Sequence, residues 1–282
     1  VDEAAIIPNE EYFTRDLRPA LSTFKDSRCL WISTPRGKGN YLYNYYLRGS
    51  DQEYPDWGSA LFTWRSNPLL SENDVKEARK AVSRALFAQE YECEWTTTEA
   101  QIYEALDEAK HVGEYVGERF SEVIAGLDVG YRDDNVFVVI GFDGKSYYII
   151  DEYVSKESTT SELAARIQEK LDEWSIDTIY IDSAAQQLKA DFAYDYDIYC
   201  ENAVKSVNDG INYLQVLIEQ NNLFFDTLGS SHCFSAMSSY RWNPNTETPK
   251  PVHDWTSHPC DAIRYAIYTH SKMSNISIYA HG

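Results

Sequence analysis

The pattern of hydrophobic and polar positions changes character near residue 120. After this point come three apolar runs, EVIAGLDVG, NVFVVIGF and KSYYIIDEYV, each with the length and composition of a strand. The last two are joined by a short loop containing Asp143-Gly144, which is typical of a β-hairpin. The sequence therefore predicts three consecutive antiparallel strands.

A helical pattern follows the three strands. Thr159 and Glu162 form a capping-box pair, and an apolar stripe with helical spacing runs from Leu163 to Trp174. The remaining segments alternate between strands and helices: DTIYIDS, AAQQLKADFAY, DIYC, VNDGINYLQVLIEQ, LFF and a final helix beginning near Pro259. This order favours an α/β fold of the RNase H-like type, a mixed sheet flanked by helices.

The first 95 residues predict a separate α/β region. We expect a strand over Arg28 to Ser33, a turn rich in Pro and Gly, an aromatic helix (YLYNYYL) and a second helix over Glu72 to Cys93. Residues 96–120 are polar and irregular, as in a connector. The expected parts are therefore 1–95, 96–120 and 121–282.

Composition places the chain among globular proteins. It has 282 residues, 43% of them hydrophobic, without the ~18-residue apolar run of a membrane helix or the features of a signal peptide. Its five cysteines form no C-x-x-C pair, which argues against a zinc site and favours a reducing compartment. The net charge of −20 argues against binding of nucleic acid by bulk electrostatics, although a nuclease can hold DNA through a local basic strip and divalent metals.

Three aspartates stand where carboxylates are costly unless they are paired or bound to metal. Asp128 lies within the first apolar strand and Asp182 ends the fourth, while Asp261 lies near the start of the final helix. Pro259 is expected as the first helical residue and His258 as the N-cap, facing the same way as Asp261. Convergence of the aspartates would create an all-oxygen site for Mg²⁺ or Mn²⁺, and two such ions can hydrolyse a phosphodiester.

Each of these residues also has a structural interpretation. Asp128 could be a turn carboxylate, Asp182 could cap the next helix, and Asp261 could belong to a capping box. Asp134 could join the aspartates from the loop or be a plain turn residue. Asp151 and Glu152 end the predicted third strand. They could supply an additional metal ligand, but a strand end exposed to solvent explains them better.

Several segments together resemble the large subunits of phage terminases. VDEAAIIP is similar to the end of a Walker B strand, STPRGKGN to the motor's coupling motif, and FAQEYECEW to the segment that closes the ATPase domain. GLDVGYRDDN, IDSAA and HPCDAIRYA resemble the three acidic motifs of the nuclease domain, and KSVNDGI and SYRWN fit the pattern between the second and third. The likeness covers nearly the whole chain, with the motifs in the family's order.

The resemblance implies roles for individual residues. In the motor, Asp2 would help to hold Mg²⁺, Glu3 would be the general base for ATP hydrolysis, and Ser33 and Thr34 would belong to the coupling motif. In the nuclease, the metal ligands would be Asp128, Asp182 and Asp261, assisted by Asp134 and His258. Lys205 would contact phosphate, or be a solvated lysine before a helix.

The resemblance also implies a function for the whole. The chain would be a two-metal endonuclease that cuts concatemeric double-stranded DNA during genome packaging, attached to an ATP-driven motor. Its cofactors would be Mg²⁺ or Mn²⁺ for the nuclease and ATP with Mg²⁺ for the complete motor. Its partners would be the portal protein, the terminase small subunit and further copies in a ring, in the host cytoplasm.

The chain departs from the family pattern in two places. The P-loop motif G-x-x-x-x-G-K-[ST] does not occur in the sequence, because Ile32 stands at the first glycine before Gly37-Lys38 and Gly39 at the hydroxyl position. Since the chain starts at Val1 within the Walker B strand, we expect the N-terminal half of the motor to be missing and the isolated chain to lack ATPase activity. The Glu that often precedes the SYRW-like stretch is also replaced.

Two other hypotheses remain open from the sequence. A junction resolvase or transposase could share the fold, although the motor-like segments argue against it. A catalytically silent docking module of the packaging machine would use the negative charge for assembly. Tyrosine-rich stretches such as YLYNYYL could stack on bases, but a packed helix face explains them better.

Overall fold

A computed structural model describes residues 1–7, 10–38, 40–95, 101–130, 134–243, 246 and 249–279, with side chains up to residue 273. The chain divides into two compact units. The first comprises Val1–Ala100 and Arg241–Pro251, and the second comprises Gln101–Tyr240 and Val252–Gly282. Among the described residues, no helix combines the length and the apolar content needed to cross a membrane.

The first unit consists of short helices around an aromatic core. A 3-10 helix (Ala4–Ile6) and a π-helix (Tyr12–Leu17) are followed by α1 (Arg18–Leu21), α2 (Tyr41–Arg48), a second 3-10 helix (Trp64–Ser66), α3 (Glu72–Ala81) and α4 (Arg84–Glu90). Tyr41 and Tyr45 of α2 are buried in this core with Phe13. The aromatic helix therefore packs these rings inside the protein, as expected if they do not stack on bases.

Two predictions for this unit are wrong in detail. The strand expected over Arg28 to Ser33 is reduced to one parallel bridge between Asp2 and Ile32. The single helix expected over Glu72 to Cys93 is broken, because Val82 is extended and the Ser83 side chain accepts a hydrogen bond from the N–H of Leu86, starting α4.

The second unit is built on a seven-stranded mixed sheet. Its strands are β1 (Val112–Gly113), β2 (Glu122–Asp128), β3 (Asp134–Phe142), β4 (Tyr147–Lys156), β5 (Thr178–Ile181), β6 (Cys200–Asn202) and β7 (Leu223–Asp226). Its helices are α5 (Glu108–His111), α6 (Thr160–Trp174), α7 (Gln186–Asp195), α8 (Val207–Glu219), α9 (Ser231–Ser239) and α10 (Ser257–Tyr279). The strand order is β1-β7-β4-β3-β2-β5-β6.

The three consecutive antiparallel strands predicted from the sequence are confirmed as β2, β3 and β4. β2 pairs antiparallel with β3 and β3 with β4, whereas β2 pairs parallel with β5 and β5 with β6. Alternate residues of β2 face opposite sides: Ala125 and Leu127 join Leu163 and Ile167 of α6 in one core. Gly126 and Asp128 therefore face the other side, where α10 packs.

Candidate metal centre

Asp128 and Asp182 lie side by side at the end of two parallel strands. Leu127 of β2 is in register with Ile181 of β5, Asp128 is the last residue of β2, and Asp182 directly follows β5. Neighbouring strands are spaced by about 4.8 Å. The sheet register thus places the two aspartates, 54 positions apart in sequence, next to each other.

Helix α10 brings Asp261 and His258 across the same strand. The approach is close because β2 has a glycine: a Cβ on Gly126 would stand 1.9 Å from the carbonyl oxygen of Ala262. The helix begins at Ser257, two residues earlier than predicted, since Asp254 accepts hydrogen bonds from the N–H groups of Thr256 and Ser257. His258 is therefore a helical residue and not the N-cap.

Each of the three carboxylates has a nitrogen-bearing side chain as a partner. Nδ1 of His258 lies 2.6 Å from Oδ2 of Asp128. Nζ of Lys205 lies 2.6 Å from Oδ1 of Asp182. Nη2 of Arg264 lies 2.9 Å from Oδ1 of Asp261.

Tyr265 shows that the three aspartates share one electrostatic environment. Its hydroxyl donates to Oδ2 of Asp182 at 3.4 Å. Burial raises the pKa of Tyr265, and the charges of Asp261, Asp128 and Asp182 raise it further. The charges of all three predicted aspartates therefore act on one phenol, which donates its hydrogen bond to Asp182.

The electrostatics of the site differ from one carboxyl to the next. Burial raises the pKa of Asp261, and the charge of Asp128 raises it as well, against the opposing effect of Arg264. Burial also acts to raise the pKa of Asp182, but the hydrogen bonds from Lys205 and the N–H of Ala184 outweigh it and lower the pKa. Of these two carboxyls, Asp261 is thus the one whose charged form the surroundings disfavour.

Asp134 lies on the same face of the sheet but has a different partner. Asp128 is opposite Val136 in the β2–β3 pair, and Asp134 is two residues before Val136, so the side chains of all three point to one face. Asp134 is buried, and its Oδ1 is 3.5 Å from Nζ of Lys156. That oxygen accepts no hydrogen bond from the described part of the chain.

Asp151 and Glu152 have structural partners. β4 continues beyond them to Lys156, so they do not end the strand as predicted. Asp151 accepts hydrogen bonds from Lys170 and Trp174, and Glu152 accepts two from the backbone N–H groups of His232 and Cys233 at the start of α9. Asp151 and Glu152 are therefore neither a strand end in solvent nor additional metal ligands in this arrangement, since both make contacts within the protein.

The donor set at Asp128, Asp182 and Asp261 suits a divalent cation, because carboxylate oxygens are the ligands such ions prefer and the charge of Asp128 already raises the pKa of Asp261. The described residues contain no group of three or more His, Cys, Asp and Glu side chains already spaced as a metal site. Lys205 and His258 occupy one oxygen each of Asp182 and Asp128 in this arrangement. The three aspartates therefore fit a divalent cation by their chemistry and by the register of β2 and β5, although their side chains are not spaced as a metal site in this arrangement.

The motor-like residues of the first unit also lie close together. The N–H of Glu3 donates to Oδ1 of Asp2 at 3.0 Å, and Glu3 has a left-handed backbone, with φ 49°. The β-bridge between Asp2 and Ile32 places Asp2 and Glu3 near Ser33. The Oγ of Ser33 accepts a hydrogen bond from the N–H of Ala5 and donates one to the carbonyl oxygen of Thr34. Gly39 lies outside the described residues.

Sequence reasoning missed Arg264 and Tyr265 and gave Lys205 too little weight. Arg264 and Tyr265 follow Asp261 by three and four positions, the helical spacing that puts side chains on neighbouring positions of one face. That spacing was the available signal for both. Nothing local to Lys205 indicates its contact with Asp182, which joins two different strand ends.

Family models match both parts of the chain. The model for "Terminase large subunit, T4likevirus-type, N-terminal" matches residues 1–110, and the model for "Terminase RNaseH-like domain" matches residues 125–269. The terminase large subunit of Escherichia phage T5 is 39% identical over 286 residues, covering 96% of this chain and 65% of that protein. The chain thus spans about 65% of the length of this curated relative.

Solved structures show the same fold. The large terminase of a thermophilic bacteriophage superposes with a TM-score of 0.73 at 20% identity, covering 96% of this chain and 67% of that one. The nuclease domain of the P22 large terminase gives a TM-score of 0.52 at 18% identity, covering 61% of this chain and 93% of that one. With the RNase H-like model matching just over half of its residues, the chain belongs to the terminase large subunit family and carries that family's RNase H-like domain.

Proposed function

We propose that the RNase H-like domain is a metal-dependent endonuclease that cuts concatemeric double-stranded viral DNA during packaging. One observation carries this proposal: Asp128 and Asp182 end adjacent parallel strands, and α10 lays Asp261 across them. Membership of the terminase family makes a resolvase or transposase the weaker hypothesis.

Asp128, Asp182 and Asp261 would hold Mg²⁺ or Mn²⁺, as two ions in the mechanism we favour. Bound there, such ions would activate water and stabilise the leaving oxygen of a phosphodiester. His258, hydrogen-bonded to Asp128, would orient that carboxylate. Lys205, with half of its side chain exposed, is placed to meet a DNA phosphate. Asp134 is proposed as an assisting carboxylate.

For the rest of the protein we propose the organisation expected from the sequence. Residues 1–95 would be the part of the ATPase motor that follows Walker B and 121–282 the nuclease domain, while 96–120 would be a connector whose α5 and β1 belong to the second unit. Asp2, Glu3, Ser33 and Thr34 would serve ATP hydrolysis and coupling in the complete motor, with Mg²⁺. The partners would be DNA, the portal protein, the small subunit and further copies in a ring, acting in the host cytoplasm.

Plasmid cleavage with Mn²⁺ or Mg²⁺ tests the nuclease proposal. Asp182→Asn removes one charge while keeping the size of the side chain, and we expect it to abolish cleavage without changing the circular dichroism spectrum. Asp172→Asn, at an exposed position of α6, is the matched control and should cut like the wild type. Undiminished cutting by Asp182→Asn would reject the proposed metal ligands, whereas no cutting by the wild type in either metal would favour the docking module.

A further inference from the structure

Arg264 is a charged side chain enclosed by the protein behind the metal centre. Only 3% of its side chain is exposed, compared with 49% for Lys205. Its Nε and Nη2 lie 3.3 and 2.9 Å from Oδ1 of Asp261, one helical turn away on α10. Its buried Nη1 has no hydrogen-bond partner within the described part of the chain. A buried guanidinium is costly, so its presence beside Asp261 calls for a physical reason.

Gly210 provides the seat for this side chain. A Cβ on Gly210 would stand 2.7 Å from both Cγ and Cδ of Arg264, so only glycine leaves room for the arginine stem. Gly210 lies in the first turn of α8, where glycine disfavours the helix by about 1 kcal/mol relative to alanine. The KSVNDGI segment, which fits the family pattern, thus contains Gly210, the residue that packs against the stem of Arg264.

The guanidinium of Arg264 also lies against an aromatic ring. Its guanidinium carbon lies 4.7 Å from the centroid of Tyr265, whose hydroxyl reaches Asp182. Gly210, Tyr265 and Asp261 therefore limit the positions that the guanidinium can take. Both of its hydrogen bonds to Asp261 use the same oxygen, Oδ1.

We propose that Arg264, seated on Gly210, is a positioning residue that fixes Asp261 through Oδ1 and leaves Oδ2 for a divalent cation shared with Asp128 and Asp182. The inference rests on the proposed metal-dependent function. Arg264 does not touch substrate or metal; it acts through Asp261. Lys205 differs because it is half-exposed and can leave Asp182, whereas Arg264 is enclosed and keeps its charge at any accessible pH.

Direct Mn²⁺ binding to the full chain, measured from the room-temperature electron paramagnetic resonance signal of free Mn²⁺, tests the assignment without relying on activity. Arg264→Met keeps an unbranched apolar side chain and removes the guanidinium, and we expect at least a tenfold weaker Mn²⁺ affinity at the site. Arg264→Lys keeps the charge with one donor group and should restore part of the affinity. Arg166→Met removes an arginine paired to Glu169 on the exposed face of α6, and should bind Mn²⁺ within twofold of the wild type.

Gly210→Ala is a second variant that leaves Arg264, Asp261 and the net charge unchanged. The added methyl group must displace the arginine stem, so we expect weaker Mn²⁺ binding with a retained circular dichroism spectrum. This variant keeps the proposal testable if Arg264→Met fails to fold. Wild-type or tighter Mn²⁺ binding by folded Arg264→Met, or by Gly210→Ala, would overturn it.

Asp182→Asn separates this inference from the proposed function. If Asp182→Asn loses Mn²⁺ binding while the Arg264 and Gly210 variants bind like the wild type, the metal centre stands and the positioning role is wrong. If Asp182→Asn binds Mn²⁺ like the wild type, the three aspartates are not the site, and both proposals fail.

Discussion

Gly126 and Ala262 bring the backbones of β2 and α10 into direct contact, because a methyl group on Gly126 would stand 1.9 Å from the carbonyl oxygen of Ala262. Ala262 adjoins Asp261, and Gly126 is two residues before Asp128 on the same face of the strand. The distance between strand and helix therefore also sets the distance between two of the three aspartates.

Gly126→Ala should displace α10 from the sheet. Overpacking typically costs about 1–3 kcal/mol, and here the obstacle is backbone, which gives way less readily than a side chain. We expect a loss of unfolding free energy of at least about 2 kcal/mol, measured in urea, together with a strong loss of DNA cleavage. Gly58→Ala is the control, since a Cβ there meets nothing within 4 Å, and equal stability of the two variants would contradict the interpretation.

His258→Ala should weaken the site without removing a metal ligand. The imidazole holds Asp128 at 2.6 Å, and loss of a group that orients a ligand typically costs about 10–100-fold in metal affinity or activity. We therefore expect cleavage rates about 10–100-fold below the wild type at saturating Mn²⁺. His253→Ala removes an exposed neighbouring ring, 5.5 Å from His258 between centroids, and should cost less than about threefold. A smaller loss for His258→Ala than for His253→Ala would argue against the role of His258.

The fold of the second unit was predictable because its apolar runs have the length and period of strands. Asp128 and Asp182 lie side by side because their two strands pair in parallel. A carboxylate that is costly within or at the end of an apolar run indicated each of these two positions in the sequence. The sequence shows a glycine at position 126 but not why a glycine is required there, because the contact with Ala262 joins segments more than 130 positions apart.

The parts that could not be predicted depend on contacts between distant segments or on local capping. Lys205 reaches Asp182 across two strand ends, and Glu152 caps α9, which starts almost 80 residues later. The break between α3 and α4 depends on Ser83, whose hydroxyl competes with the helix for a backbone N–H. The roles of the three aspartates in metal binding stay a prediction until a metal is measured.

Lys205→Met should tighten Mn²⁺ binding, the opposite of the effect expected at Arg264. The ammonium group places a positive charge 2.6 Å from Oδ1 of Asp182, where it competes with a cation, and the N–H of Ala184 still holds that oxygen after the lysine is removed. Because the pair is exposed and screened, the gain should be modest, about two- to tenfold. Lys189→Met, near the same strand end beside Asn202, is the control. Weaker binding by Lys205→Met would show that the lysine positions Asp182.

Asp226 should make the unfolding free energy depend on pH below about 5. Although burial acts to raise its pKa, four backbone N–H groups, from Tyr115, Gly229, Leu228 and Val116, lower it below its usual value. A carboxyl with a lowered pKa in the folded state stabilises the fold above its unfolded pKa of about 3.9, and this contribution is lost as pH falls through the folded pKa. The buried carboxylate at the end of β7 is therefore a structural anchor whose effect requires its charge.

Asp226→Asn should consequently lower the unfolding free energy at neutral pH by about 1–3 kcal/mol, because the amide oxygen accepts fewer of the four hydrogen bonds. The difference between wild type and variant should narrow as pH falls below about 4, where the wild-type carboxyl begins to lose its advantage. Urea unfolding from pH 7 to pH 3 measures both quantities, with Asp172→Asn as a control that should follow the wild type throughout. A difference that stays constant or widens toward low pH would mean that Asp226 acts through packing, and that its charge contributes nothing to the stability of this sheet edge.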